Sequence, residues 1–353
     1  MSRNRRPILT DVAETAGVSP ATVDRVLNGR AGVKPATAQR VLEAAARLGY
    51  RPEGELGALL RPPTLKLVFL LPAGSNQYLQ QLGRTIRDIA EEPGSADCRI
   101  RCFFIEGFNP RALAEALGRY GAEADGLAFM ALDHPVVREA VARLADAGKP
   151  VVTLISDLSS SGRSAYVGLD NRAAGRTAAY LLGRFARRRP GDSTGGSTGG
   201  SVALIAGSRS YRAHEERQMG FLSLIEETLP DCRVTGTREG HDDPDENYRL
   251  TRRLLADLPD LVGLYNVGGS TDGIARALRD AGRSGEVVLI GHGLSPSTRA
   301  LLVEDAIDAL INQNPESLVR NSLAIFRNLR DRRPLLLGVP PVTLDIVLRE
   351  NLP

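Results

Sequence analysis

Apolar residues follow two different spacings along the chain. Near its start they recur every three or four positions, as in Val23, Val26 and Leu27, which predicts short amphipathic helices. Further on, short apolar runs alternate with longer helical stretches, and Leu65–Leu71 is continuously apolar, as in a strand buried on both faces. The pattern therefore predicts a small all-α segment followed by a larger α/β segment.

The small segment is predicted to hold three helices. The first runs from about Thr10, which we expect to cap it, to Ala16, and the second follows Gly17 with Ser19 as its cap. The third begins near Pro35. Two short helices joined by a glycine-containing turn are typical of a helix-turn-helix, whose second helix enters the major groove of DNA.

The second helix offers a small, polar and cationic face that suits DNA. Thr22, Arg25 and Asn28 can bond to bases, although Thr22 and Asn28 can equally serve phosphates, and Pro20 and Ala21 offer only apolar contacts. The predicted DNA-binding residues of this segment are therefore Thr10, Ser19, Pro20, Ala21, Thr22, Arg25 and Asn28.

Asp24 on the same helix is unexpected, because DNA phosphates repel a carboxylate. Three outcomes stay open at this point: Asp24 pairs with Arg25, pairs with Arg30, or accepts a hydrogen bond from the amino group of cytosine.

Two stretches of the small segment carry a family resemblance. Ala-Gly-Val-Ser-x-Ala-Thr-Val-x-Arg-Val-Leu-Asn-Gly at 16–29 and Leu-Gly-Tyr-Arg-Pro at 48–52 closely resemble the headpiece of the lactose-repressor (LacI/GalR) family of bacterial transcription regulators. The resemblance implies a helix-turn-helix domain over residues 1–52, a hinge helix or linker over 53–64 and a two-lobed effector domain over 65–353. It also implies that Leu59 is a wedge that enters the minor groove; a plain linker is the alternative.

Residues 65–353 repeat strand–helix units, which predicts parallel sheets covered by helices in two doubly wound lobes. Near the end, helices are predicted over Pro296–Glu304 and Ala306–Gln313. Three motifs are similar to the periplasmic sugar-binding-protein fold that family members carry behind the headpiece. They are Leu71-Pro72-x-x-Ser75-Asn76-x-Tyr78, Gly168-Leu169-Asp170-Asn171-x-x-Ala174-Gly175, and Gln313 shortly after Ile311.

Polar residues at the predicted strand ends form the candidate effector site, because ligands of such sheets bind at the carboxyl ends of strands. Amide, carboxylate and aromatic groups together suit a sugar, a polyol or a sugar acid. Glu215 stands where the family commonly has arginine, and His292 where it has aspartate, which implies an unusual ligand. The candidates are Asn76, Tyr78, Asp133, Asp157, Glu215, Arg217, Asn266, His292 and Gln313. Asp170 and Asn171 are expected to begin a helix instead.

Charge and cysteine content agree with a cytoplasmic DNA-binding protein. The net charge is +3, and residues 1–64 have ten Lys and Arg against six Asp and Glu, so the basic surplus lies in the small segment. The three cysteines are odd in number and lack metal-ligand spacing, which favours a reducing compartment. We expect no signal peptide, membrane span, metal or cofactor.

These observations favour a DNA-binding transcriptional regulator, a repressor controlled by a sugar-like effector, over two alternatives. A sugar-processing α/β enzyme needs a phosphate-binding loop or a nucleophile–base pair, and the chain has only four histidines. A solute-binding protein has no use for a helix-turn-helix. We expect a homodimer on a roughly palindromic operator, with a tetramer left open.

Overall fold

The computed structural model describes residues 7–28, 30, 32–50, 63–159, 162–186 and 199–353. The chain divides into two compact units, Met1–Thr64 and Leu65–Pro353. Within the described ranges, no helix is long and apolar enough to cross a bilayer.

The first unit is a three-helix domain formed by α1 (Leu9–Ala16), α2 (Pro20–Leu27) and α3 (Pro35–Arg47). One apolar residue from each helix, Val12, Val23 and Val41, is fully buried in their common core. Each helix is too short to be stable alone, so this packing stabilises all three. Helices α1 and α2, joined by a turn that begins at Gly17, confirm the predicted helix-turn-helix.

The caps of the first unit confirm one expectation and correct another. Ser19 caps α2, because its Oγ accepts a hydrogen bond from the Thr22 N–H at 3.2 Å. Thr10 does not cap α1: the cap is Ile8, whose N–H donates to the Asp11 carboxylate at 2.7 Å. An acidic side chain three positions past the cap reaches back to the free N–H of the helix start, so it replaces a capping hydroxyl.

The second unit contains eleven strands and nine α-helices within its described residues. The strands are β1 (Leu65–Pro72), β2 (Cys98–Ile105), β3 (Gly126–Phe129), β4 (Val151–Leu154), β5 (Ala165–Val167), β6 (Gly200–Ala206), β7 (Cys232–Glu239), β8 (Leu261–Asn266), β9 (Val288–His292), β10 (Ala309–Asn312) and β11 (Asp345–Val347). The helices are α4 (Gln77–Glu91), α5 (Pro110–Gly121), α6 (Pro135–Asp146), α7 (Asn171–Ala186), α8 (Arg212–Thr228), α9 (Pro244–Asp257), α10 (Thr271–Asp280), α11 (Pro296–Val303) and α12 (Pro315–Arg330).

The strands form two sheets, one in each lobe of the second unit. The first lobe has the parallel order β2-β1-β3-β4-β5, and the second has the order β11-β10-β9-β8-β6-β7, in which only β11 is antiparallel. In each sheet the first strand lies between the two strands that follow it in the sequence. In the first sheet β1 lies between β2 and β3, and in the second β6 lies between β7 and β8. The crevice that binds ligands in doubly wound sheets opens at the carboxyl ends of such strands.

The chain crosses between the lobes more than once. Helix α12 follows β10 of the second sheet, yet its Leu318 and Phe326 are buried in the core of the first lobe. The Phe326 ring lies against β3, where a Cβ at Gly126 would come within 2.6 Å of it. Strand β11 then returns to the second sheet.

The structure corrects the prediction near the carboxyl end. Residues 309–312, expected within a helix, form strand β10 between β9 and β11. The segment is short and flanked by strands on both sides, so sheet pairing overrides its helical spacing. Beyond the end of β3, the N–H of Asp133 donates to the Ser210 carbonyl of the second lobe at 2.9 Å.

Candidate ligand cavity and DNA-binding face

Helix α2 presents its predicted reading face to solvent. Val23, Val26 and Leu27 are buried in the core, whereas Arg25 and Asn28 are exposed. Among the other predicted contacts, Thr10, Ser19, Pro20 and Ala21 are exposed and Thr22 is half-buried. Leu59 lies outside the described residues, as does the predicted hinge up to residue 62.

Asp24 pairs with Arg30, which was one of three open outcomes. Its carboxylate lies 3.3 Å from Nη1 of Arg30 and accepts a hydrogen bond from the Asn28 amide at 2.8 Å. The pair balances the negative charge on the reading face and holds the Asn28 side chain. Arg25 therefore remains the cation of α2 that is directed to solvent.

The predicted effector residues divide between two cavities of the second unit. A small inner cavity of about 50 Å³ lies between the lobes, and a wider outer cavity of about 580 Å³ lies beside it. Predicted residues that line the inner cavity are Asn76, Tyr78, Arg217, His292 and Gln313, and those that line the outer cavity are Asp133, Asp157 and Glu215. Asn266 lines neither of them: it is fully buried and its amide donates to the Gly269 carbonyl, so it holds the loop behind the inner cavity.

The side chain of Arg217 extends from α8 into the inner cavity. Helix α8 packs against α7 so closely that their backbones are in contact. A Cβ at Gly175 would collide with the Arg217 carbonyl, so only glycine permits this approach. The guanidinium donates from Nε to Asn171 Oδ1 and from Nη1 to the Val267 carbonyl, both at 2.8 Å. Only 4% of Arg217 is exposed, and burial lowers the pKa of its guanidinium.

Asp242 is the lining residue that the sequence analysis missed. Its Oδ2 accepts a hydrogen bond from the Asn76 amide at 2.8 Å, and its Oδ1 accepts one from the Gly269 N–H at 2.7 Å. Its carbonyl accepts a third bond from Ser75 Oγ at 2.6 Å. Because Asn76 and Ser75 belong to the first lobe, Asp242 joins the two lobes directly.

A sequence signal for Asp242 existed, namely the acidic pair in Gly240-His241-Asp242-Asp243-Pro244. In the structure β7 extends to Glu239, and Asp242 follows at the carboxyl edge of the sheet.

Two neutral imidazoles and a buried phenol complete the inner cavity. Nδ1 of His214 is hydrogen-bonded to the Ser208 carbonyl at 2.9 Å, and Nε2 of His292 is hydrogen-bonded to the Tyr265 hydroxyl at 2.7 Å. Burial lowers the pKa of His214 to about 4 and that of His292 well below its usual value. Burial also raises the pKa of Tyr78, whose hydroxyl donates to the Gln313 carbonyl at 2.9 Å.

Both predicted aspartates of the outer cavity already form ion pairs with arginines. Asp133 pairs with Arg138 at 2.6 Å, and both oxygens of Asp157 accept from Arg163 at 2.5 Å. Glu215 is exposed. A ligand that used either aspartate would have to replace an existing ion pair.

Two protein families match the chain over separate stretches. Residues 8–53 match the family described as bacterial regulatory proteins, lacI family. Residues 67–332 match the periplasmic binding protein domain family. The first match covers the helix-turn-helix, and the second covers both lobes.

Catabolite control protein A of several bacteria is similar to the chain. The protein from Staphylococcus aureus (strain MRSA252) is 26% identical over 274 residues, which is 77% of both chains. The protein from Priestia megaterium is 34% identical over 172 residues, or 49% of this chain and 50% of that one.

Solved structures of sugar-binding proteins share the fold of the second unit. GanP, a glucose-galactose binding protein from Geobacillus stearothermophilus, has a TM-score of 0.70 at 21% identity, covering 82% of this chain and 99% of that one. A solute binding protein from Burkholderia graminis in complex with D-arabinose has a TM-score of 0.72 at 18% identity, with 82% and 97% covered. The chain thus belongs to the periplasmic binding protein domain family and, through its helix-turn-helix, is a LacI-family transcriptional regulator.

Proposed function

We propose that this regulator is a repressor whose operator affinity is set by a small sugar-like effector bound in the inner cavity. The observation that carries the proposal is the pairing, in one chain, of an exposed DNA-reading helix with a buried interlobe cavity that presents Arg217 and Gln313. The protein works as a homodimer in the cytoplasm, where its operator lies, and is not an enzyme.

The proposed division of labour follows the chain. Residues 1–52 bind DNA, 53–64 form the hinge with Leu59 as its wedge, and 65–353 bind the effector. The DNA contacts we propose are Thr10, Ser19, Pro20, Ala21, Thr22, Arg25 and Asn28. Of the effector contacts, we place Asn76, Tyr78, Arg217, His292 and Gln313 in direct contact, and Asp133, Asp157, Glu215 and Asn266 at the periphery.

Effector and operator are coupled through the lobes. Ligand pockets usually measure about 300–1,000 Å³, so an inner cavity of about 50 Å³ has to widen before a sugar enters it. Widening separates Asn76 of the first lobe from Asp242 of the second, which now bond directly. The hinge leads into β1 of the first lobe, so a change in lobe spacing reaches the paired hinges of a dimer. Such coupling is typically about 1–3 kcal/mol, and it acts in both directions.

Selection of genomic fragments by the purified full chain tests the proposal. We expect enrichment of fragments that share a roughly palindromic site, each half read by one α2 helix. Binding should weaken steeply with salt, since phosphate contacts dominate affinity. Equal retention of all fragments at moderate salt would contradict the proposal, as would a selected site that binds one protomer only.

A further inference from the structure

Arg217 is a buried cation without a carboxylate partner. Its two hydrogen bonds go to neutral oxygens, those of Asn171 and Val267, and within the described part of the chain it forms no ion pair. A guanidinium has five N–H donors, so donors remain for a further acceptor. A buried charge is costly unless a partner compensates it, and a ligand carboxylate matches the forked geometry of arginine better than a hydroxyl does.

Gln313 adds a second unsatisfied group to the same cavity. Its Oε1 is buried and has no hydrogen-bond partner among the described residues, and only 5% of the residue is exposed. An orphaned acceptor needs a donor, and a carboxylate cannot supply one. A ligand hydroxyl can.

Asp242 lines the cavity as well, but its charge is already stabilised. Each of its carboxylate oxygens accepts an N–H bond, one from Asn76 and one from Gly269. Asp242 and Arg217 do not form an ion pair with each other, so among the described residues the cation has no contacting anion, although Asp242 lies in the same cavity. The two histidines that line the cavity are neutral, so they do not compete with Arg217 for an anion.

We propose that the effector is a hydroxy acid of the sugar-acid class, whose carboxylate accepts from Arg217 and whose hydroxyl donates to Gln313. This inference rests on the proposed function, because it names the ligand of the same cavity. It selects one of the three ligand classes that the sequence left open. A neutral sugar satisfies Gln313 but gives the guanidinium no anion in direct contact.

Calorimetric titration of the full chain with matched compounds tests the ligand class. The pairs are D-gluconate with D-glucitol and D-galacturonate with D-galactose, and D-glucose 6-phosphate tests a phosphate as the anion. We expect an acid to bind at least tenfold more tightly than its neutral counterpart. Equal or tighter binding of the neutral compound, tighter binding of the phosphate, or no binding of either acid would overturn the inference.

Variants assign the preference to the two residues. Arg217→Gln should remove the preference for the acid, whereas Arg217→Lys should keep part of it. Gln313→Glu adds a carboxylate to the cavity and should weaken acid binding at least tenfold, which keeps the inference testable if the Arg217 variants fail to fold. Arg283→Gln is the matched control, since Arg283 lies in the second lobe, donates to the Leu261 carbonyl and does not line the cavity. An acid preference that survives both Arg217→Gln and Gln313→Glu would contradict the assignment.

Failure of the inference and failure of the proposed function are distinguishable. Operator selection needs no effector, so a protein that selects an operator but prefers neutral sugars refutes only the ligand class. A protein that binds acids through Arg217 but selects no DNA refutes only the proposed operator-binding function.

Discussion

The side-chain amide of Asn76 in the first lobe donates to the carboxylate of Asp242 in the second lobe at 2.8 Å. The same Asn76 side chain caps α4, because its Oδ1 accepts from the N–H groups of Tyr78 and Leu79. One residue therefore caps a helix of the first lobe and bonds that lobe to the second.

Asn76→Ala should destabilise the protein more than loss of a cap alone. A lost cap costs about 1 kcal/mol, and a hydrogen bond to a charged group is worth about 1.5–3 kcal/mol. Asn109→Ala is the matched control, because Asn109 caps α5 through the same two bonds and its amide donates to the carboxylate of Glu106 in its own lobe, where exposure to solvent weakens that bond. Urea unfolding should show a larger loss for Asn76→Ala; equal losses would mean that the interlobe bond contributes nothing.

Arg25→Ala should weaken operator binding without unfolding the first unit. Arg25 is exposed on α2 and the core beneath it is untouched, so the loss reflects contact with DNA. Removal of an arginine that reads a base costs about 1–3 kcal/mol and relaxes specificity at one position of the site. Fluorescence anisotropy with labelled operator measures the effect. Arg252→Ala, at an exposed arginine of α9, should leave the affinity unchanged.

Stability should fall as the pH drops below the ordinary pKa of histidine. Burial lowers the pKa of His214 to about 4 from 6.5, so below pH 6.5 the unfolded chain binds more protons than the folded one. The stabilisation is complete above pH 6.5 and is lost as the pH falls toward about 4. His214→Gln should flatten the dependence in thermal unfolding, while His134→Gln, at an exposed histidine, should leave it intact. An identical pH slope in all three proteins would refute the assignment.

Asp97→Asn should destabilise the second unit at neutral pH. Hydrogen bonds from Arg327 and Arg330 of α12 lower the pKa of Asp97 to about 2. The contribution is therefore present above the unfolded pKa near 4 and disappears as the pH falls toward 2. We expect a loss of about 1–2 kcal/mol at pH 7, since the group is partly solvated. Asp88→Asn, at an exposed site on α4, should have a smaller effect in the same denaturant titration.

The sequence predicted what depends on local pattern. Ser19 follows a turn glycine and precedes Pro20, so its role as a cap was readable from neighbours alone. Arg217 and Gln313 were predicted to face a common cleft because loops at strand ends converge in doubly wound sheets. Both line the inner cavity.

What the sequence did not predict depends on contacts between distant segments. Asp242 bonds Asn76 from a position far along the chain, and nothing in its neighbourhood signals that partner. Asn266 sits at a strand end but turns its amide into the loop behind the cavity, a direction that strand position does not fix. The segment 309–312 is a strand only because β9 and β11 flank it.

Operator affinity of the full chain, measured with and without the acid that titration identifies, tests the central claim most directly. The account predicts a change of about 5–150-fold in the Kd for the selected operator, the range of ordinary allosteric coupling, and the same factor in the affinity for the acid when operator is present. An operator Kd that stays constant at saturating acid, with Arg217 shown to hold that acid, would contradict the account.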